Sequence, residues 1–188
     1  MASFTKNAIR QSFLKLLNER PFSKISVRDI VEDCGINRNS FYYHYQDIPT
    51  LLCDIISDEA EQIAAKHPTP DSIEDCVLAC IDFALEHKKA AAHIFNSVNR
   101  DFYEQTLDKL CQTLISSYFD KLFGNYEIEK SDRDLLVRTF SAECFGIMIQ
   151  WMMTGMSDDI KTDFKRLCEL RVGSVEETLK RCVKNQTN

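Results

Sequence analysis

Glycine and proline are scarce in this chain, with five Gly and four Pro among 188 residues. A sandwich or barrel needs such residues at its many turns, and a nucleotide-binding α/β fold needs Gly-rich phosphate loops. Neither has its raw material here. An apolar fraction of 44% beside 28% charged residues supplies a core and a solvated surface, and no low-complexity tract or block of like charge keeps the chain unfolded. The expected fold class is all-α, at a length that holds one domain or a small module joined to a larger one.

The first residues, MASFTKNAIR, carry Lys6 and Arg10 and lack a signal-peptide core. The longest apolar stretch, Cys144 to Met153, contains Gln150 and falls short of the roughly 18 residues that a membrane span needs. A cytoplasmic protein with no membrane association is expected. Eight cysteines are scattered without a CxxC pair, the pattern of reduced thiols rather than a disulfide framework. Cys76 and Cys80 lie one helical turn apart with His87 and His93 downstream, but the ligand spacing of a metal site is missing. They are read as small buried hydrophobes, and neither metal nor cofactor is expected. No Ser/His/Asp spacing, Glu-x-x-His pair or phosphate-cradling loop is visible, so the chain is not read as an enzyme.

Helical periodicity orders the chain. Ile9, Phe13, Leu14, Leu16 and Leu17 mark a first helix that stops before Arg20-Pro21. Ser26-Val27-Arg28-Asp29 fits a capping box that opens a second, short helix, closed at Cys34-Gly35 by a left-handed glycine. Asn37 caps a third, from Arg38 to about His44, with Phe41 facing inward. Asp47 caps a longer fourth, with Pro49 in its first turn. Two prolines in His67-Pro68-Thr69-Pro70 place the domain junction between Ala60 and Pro70. Beyond it the spacing predicts helices over Ser72 to His87, Ala90 to Val98 and Asp101 to Phe123. A capping box at Ser131-Asp132-Arg133-Asp134 opens another, which stops near Gly155, and a last helix covers Asp159 to Val183. The count is about nine helices, divided into residues 1–65 and 66–188.

Residues 26–45 have the size and grammar of a helix-turn-helix. Arg38, Asn39, Ser40, Tyr42, Tyr43 and His44 crowd the exposed sides of its second helix, where a merely solvated helix carries Lys and Glu. Arg38 and Asn39 suit guanine and adenine edges. Tyrosine hydroxyls and imidazole bond phosphate oxygens, and Ser26 and Arg28 at the preceding helix start attract phosphate as well. Charge agrees in direction. The first fifty residues hold seven Lys/Arg against five Asp/Glu, while the remaining 138 hold 16 against 24, so a mildly basic head sits on an acidic body. Spacing alone leaves a second reading open, in which these aromatics serve a helical protein-interaction module that never touches DNA.

The run Ile25-Ser26-Val27-Arg28-Asp29-Ile30-Val31 followed by Cys34-Gly35-Ile36-Asn37-Arg38-Asn39-Ser40-Phe41-Tyr42-Tyr43-His44-Tyr45 closely resembles the amino-terminal signature of the TetR family of transcriptional regulators. The likeness covers about residues 5–56, including Pro21-Phe22 and Leu51-Leu52. It implies a dimeric helical protein whose third helix reads double-stranded DNA and whose body binds an effector or a partner, with repression the usual mode. By position, Ser26, Arg28, Asn37, Arg38, Ser40, Tyr42, Tyr43 and His44 match the family's DNA-contacting residues. Asn39 stands where Gly or Ala is frequent, and Ile48 where Lys is frequent. Cys144 to Gly155 is similar to the carboxy-terminal domain of a subgroup that includes regulators of dihydroxyacetone kinase genes.

Specific binding by this motif comes from two half-sites about 34 Å apart, presented by a two-fold dimer. The last two helices, long and apolar, are the expected homodimer interface and carboxy-terminal bundle, a role the resemblance also implies. Phe83, Phe95, Phe102, Tyr118, Phe119, Met148, Trp151 and Met152 are candidates to line an apolar effector pocket between helices, although such stripes equally fill plain cores.

Overall fold

The computed structural model describes residues 2–69, 73–97, 100–124 and 126–184. Ten α-helices follow one another, with no strand among the described residues: α1 (Ala2–Glu19), α2 (Val27–Asp33), α3 (Arg38–His44), α4 (Ile48–Lys66), α5 (Ile73–Glu86), α6 (Lys88–Phe95), α7 (Arg100–Phe123), α8 (Lys130–Met153), α9 (Ile160–Leu170) and α10 (Ser174–Lys184). A 3-10 turn, Phe22–Lys24, stands between α1 and α2. The all-helical expectation is met, with one helix more than the nine expected. Pro70, Ser72 and Val98, expected near element boundaries, lie outside the described residues.

Two expected elements differ in detail. The single last helix is broken at residues 171–173, where Gly173 takes a φ of +79° and the Ser174 amide donates to the Arg171 carbonyl at 2.9 Å. Helical spacing continues across the break, so periodicity could not show it. The capping box expected at Ser131 does not form, because α8 already starts at Lys130 with Glu129 in the cap position. Asp134 pairs with the Arg133 guanidinium at 3.4 Å instead of reaching back, and Arg133 itself is drawn to Asp120 of α7, Nε to Oδ1 at 2.9 Å.

The described chain forms two compact units: Met1–Gln62 with Ala84–Thr106, and Ile63–Phe83 with Leu107–Asn188. A single cut near residue 65 was the expectation, and the assignment of Ala84–Thr106 to the amino-terminal unit has a physical cause. Ala90, Ala91, Ile94 and Phe95 are buried, α6 packs on α1, and His93 Nδ1 lies 2.8 Å from the Leu17 carbonyl. In this first unit α1, α2 and α3 meet in a tripod. Ile9, Phe13, Leu17, Ile30, Phe41, Leu51 and Ile55 are its innermost residues, each worth about 1.5–3 kcal/mol relative to exposure. Ser12 Oγ donates to the Ile30 carbonyl at 3.2 Å, satisfying a buried hydroxyl and tying α1 to α2.

In the second unit one cluster joins Ile115, Phe119 and Phe123 of α7 to Leu179 of α10, with Leu136, Val137 and Phe140 of α8 packed against it. A second joins Ile63, Cys76 and Tyr118. α9 has no buried residue. α8 is apolar on more than one side, and Leu135, Ile147 and Met153 stay exposed.

Candidate nucleic-acid interface and effector groove

The geometry of the interface begins with two helix caps. Ser26 Oγ accepts from the Asp29 amide at 3.3 Å, and the Asp29 carboxylate accepts from the Ser26 amide at 2.8 Å, completing the capping box of α2. Hydrogen bonds from the Ser26 hydroxyl and amide hold the Asp29 carboxyl below its usual range, with Arg20 adding to the effect. The chain leaves α2 through Gly35 at φ +69°, a conformation that costs a residue with a Cβ about 1–2 kcal/mol. The Ile36 amide closes the turn on the Val31 carbonyl at 3.0 Å. Asn37 Oδ1 then accepts from the Ser40 amide at 2.8 Å and from the Ser40 hydroxyl at 3.1 Å, starting α3.

Only Phe41 of α3 is fully buried, and it fixes how the helix rolls on the tripod. Tyr42 and Tyr43 are 46% and 81% exposed, Arg38 and Asn39 are exposed, and His44 is half-buried with its ring edge-on to Tyr43 at 5.0 Å. Arg38 donates to the Tyr42 hydroxyl at 3.1 Å and stacks over the same ring at 5.5 Å, so the guanidinium is pre-positioned rather than free to rotate. Arg28 is exposed on α2, its Nε donating to Glu32 at 2.6 Å. Glu32 therefore already occupies that side chain. Asn37 and Ser40 are hydrogen-bonded to each other, which makes capping their first role.

Tyr45 stands outside the DNA-contacting set read from the sequence. It is 3% exposed, and its hydroxyl donates to Asp54 of α4 at 3.0 Å. Burial, followed by the hydrogen bond to Asp54, raises its hydroxyl above the usual tyrosine range. Lys6 donates to the other Asp54 oxygen at 2.9 Å, and Arg10 to Asp58 at 2.6 Å. Lys6 and Arg10 of α1, and the residue that follows α3, thus converge on one side of α4. The only sequence signal was a tyrosine four residues after the buried Phe41.

The eight effector-pocket candidates are distributed over both units. Phe95 is buried in the first unit with the Arg100 guanidinium 3.9 Å over its ring, and Phe102 of the same unit is 44% exposed. In the second, Tyr118 joins Cys76, Phe119 stacks near Phe123 and Phe140 at 4.9 and 5.2 Å, Phe83 and Met148 are half-buried, and Met152 is buried. Trp151, its indole donating to the Ser157 carbonyl at 2.8 Å, lines a groove of about 430 Å³ between the end of α8 and α9. Ile147, Gln150, Ile160, Asp163 and Phe164 are among its other walls. Among the described residues, no group of three or more His, Cys, Asp or Glu side chains is placed to hold a metal ion, and no helix is long and apolar enough to cross a membrane.

Two family models match this chain. One, described as "Bacterial regulatory proteins, tetR family", covers residues 12–52 and so contains the whole helix-turn-helix. The other, "Transcriptional regulator C-terminal region", covers residues 71–171. Among curated proteins nothing matches. Among solved structures the chain is similar to the dihydroxyacetone kinase operon activator DhaS, with a TM-score of 0.72 at 16% identity over 92% of this chain and 96% of that one. It is also similar to NalD of Pseudomonas aeruginosa, the secondary repressor of the MexAB-OprM multidrug efflux pump, with a TM-score of 0.54 at 18% identity over 89% and 94%. At these identities the likenesses carry the fold. The matched models, which together take in the DNA-binding head and more than half of the chain, place it in the TetR family of bacterial transcriptional regulators.

Proposed function

We propose that this regulator binds a palindromic operator as a homodimer and represses transcription until a small apolar or amphipathic effector, or a partner protein, changes the distance between its two heads. Residues 1–65 form the DNA-binding part, and 66–188 the effector and dimerisation part. The observation that carries this is the orientation of α3. Phe41 is fully buried while Arg38, Asn39, Tyr42 and Tyr43 stand out together. Arg38, held by Tyr42, is set for a guanine edge, and Asn39 for adenine. Tyr43, His44, Arg28, Ser26 and the cap pair Asn37 and Ser40 are assigned to phosphates, which fix register.

Dimerisation is supported by α8. Leu135, Ile147 and Met153 are exposed, and a Cβ built on Gly146 meets nothing within 4 Å. A glycine inside a helix costs about 1 kcal/mol relative to alanine, and no intrachain neighbour explains it here. Close approach of a second α8 does. An effector acts through unequal affinity for the two spacings of the heads.

Selection of bound sequences from random duplex DNA by the full-length protein tests the reading. The expected product is a palindrome with half-sites one helical turn apart, lost in the Arg38→Ala, Tyr42→Phe double variant with folding intact. Enrichment of no sequence, or of unpaired single half-sites, overturns it and leaves the interaction-module reading.

A further inference from the structure

Five of the seven basic side chains in the first fifty residues are engaged by carboxylates. Lys6, Arg10, Lys15, Arg20 and Arg28 pair with Asp54, Asp58, Asp33, Asp29 and Glu32 in turn. Sequence-independent attraction to DNA grows with the number of phosphates that a protein neutralises, so a head with few cations to spare depends on its base contacts. Those contacts need donor and acceptor within about 3 Å of each other and well aligned. The aim of α3 therefore matters more than its charge.

Little holds α3 in place. Its seven residues make it about 10 Å long, and the fastenings at its start, the Gly35 turn and the Asn37 cap, are local. Phe41 in the middle sets the roll of the helix, but one buried side chain leaves the tilt free to pivot about it. The far end is fixed by Tyr45. Its ring lies 5.9 Å from that of Phe41, its amide donates to the Phe41 carbonyl at 2.9 Å, and its hydroxyl donates to Asp54 Oδ2 at 3.0 Å.

Asp54 is a firm anchor for that bond. Leu51, Leu52 and Ile55 on either side of it are buried, so this part of α4 is seated in the core of the unit. The Cys53 thiol meets the Thr106 hydroxyl of α7 at 2.9 Å, and since that hydroxyl donates to the Phe102 carbonyl at 3.0 Å, the thiol is the donor. Lys6 holds Asp54 Oδ1 at 2.9 Å, with its ammonium 5.9 Å from the Tyr45 ring centre, and Arg10 lies 3.8 Å from Oδ2. An ionised acceptor makes a hydrogen bond roughly twice as strong as a neutral one.

We propose that Tyr45 and Asp54 are positioning residues for operator recognition: their hydrogen bond, braced by Lys6 and Arg10, fixes the tilt of α3 and so sets how well the head tells its operator from other DNA. The proposal rests on the regulator reading. Neither residue touches DNA in this role. Without the bond the far end of α3 is released and the helix pivots about Phe41, which carries Arg38 and Asn39 out of line with the base edges. Phosphate contacts fix register without reading sequence, so binding to unrelated DNA is little changed. The loss falls on specificity.

The test compares full-length wild type and Tyr45→Phe on the operator duplex obtained by selection and on a scrambled duplex of equal length, at several salt concentrations. Tyr45→Phe keeps the ring against Phe41 and removes only the hydroxyl. Expected is a loss on the operator of at least about tenfold, within the discrimination of one bidentate base contact, with less than about twofold on the scrambled duplex, an unchanged salt slope and an unchanged far-UV helical signal. Asp54→Asn retains an oxygen that accepts the tyrosine proton, so it should keep more operator affinity than Asp54→Leu. Tyr45→Phe added to Asp54→Leu should cost nothing further, because the two act through one bond. A wild-type ratio of operator to scrambled affinity in Tyr45→Phe overturns the proposal, and so does an equal loss on both duplexes. Should Tyr45→Phe fail to fold, the Asp54 variants decide, and equal losses in Asp54→Asn and Asp54→Leu overturn it. A wild type that selects no operator is a failure of the regulator reading, whereas one that selects an operator which Tyr45→Phe binds equally well is a failure of the positioning role alone.

Discussion

Arg38 and Arg28 have the same charge and different surroundings, and the difference predicts two kinds of loss. Arg38 is fixed against Tyr42 at the start of α3, so on the proposed reading Arg38→Ala should remove about 1–3 kcal/mol of operator binding and relax preference at one base pair. Arg28, paired with Glu32 on an exposed face, should act through phosphate. Arg28→Ala should weaken all sequences alike and reduce the slope of log affinity against log salt by about one, as titrations at several salt concentrations would show. Carboxylates set a pH window at the same scale. The Ser26 hydrogen bonds hold the Asp29 carboxyl low, Lys15 does so for Asp33, and Arg10 for Asp58. Their folded values lie below the unfolded value of about 3.9, so their contribution is complete well above that pH and disappears as pH falls through the depressed values. Denaturant midpoints should therefore drop below about pH 4, and Asp29→Asn should flatten part of that drop.

Elements show how local chemistry and packing divide the work. α2 and α3 are each seven residues long, too short to persist alone. They rely on their caps, each worth about 1 kcal/mol, and on Ile30, Val31 and Phe41 beneath them. α8 is the opposite case, 24 residues long and apolar on a side that its own unit does not cover. Gly146 distinguishes internal packing from assembly. Because a Cβ there meets nothing within 4 Å, Gly146→Ala should stabilise α8 by about 0.8–1 kcal/mol. Gly146→Gln should leave the fold intact and shift sedimentation equilibrium from dimer to monomer. A Gly146→Gln protein that remains a dimer would remove α8 from the interface.

For the whole molecule, an acidic body carries a head with a small basic excess, so affinity for DNA depends on where charge sits rather than on its total. A dimer that buries the open side of α8 also couples stability to concentration. The thermal midpoint should rise with protein concentration by mass action, and it should stop doing so in Gly146→Gln. A midpoint independent of concentration over two decades in the wild type would mean that the α8 side stays exposed in solution, and the two-headed geometry of operator binding would lose its support.

Local rules reached the helix-turn-helix because its determinants are near neighbours in sequence. The Ser26–Asp29 box, the Gly35 turn, the Asn37 cap and the inward Phe41 each act within four residues, and each lies where spacing predicts. The bond between Tyr45 and Asp54, and the pairing of Lys6 and Arg10 with α4 across 48 residues, depend on which surfaces meet. So do the docking of α6 on α1 and the break at Gly173, since helical periodicity is the same for a straight helix and an interrupted one. The sequence by itself determined that the chain is helical, where the caps of α2 and α3 fall and that residues 26–45 form a helix-turn-helix. Tertiary structure decided which side chains are held and which are exposed, because burial and long-range hydrogen bonds are properties of packed surfaces.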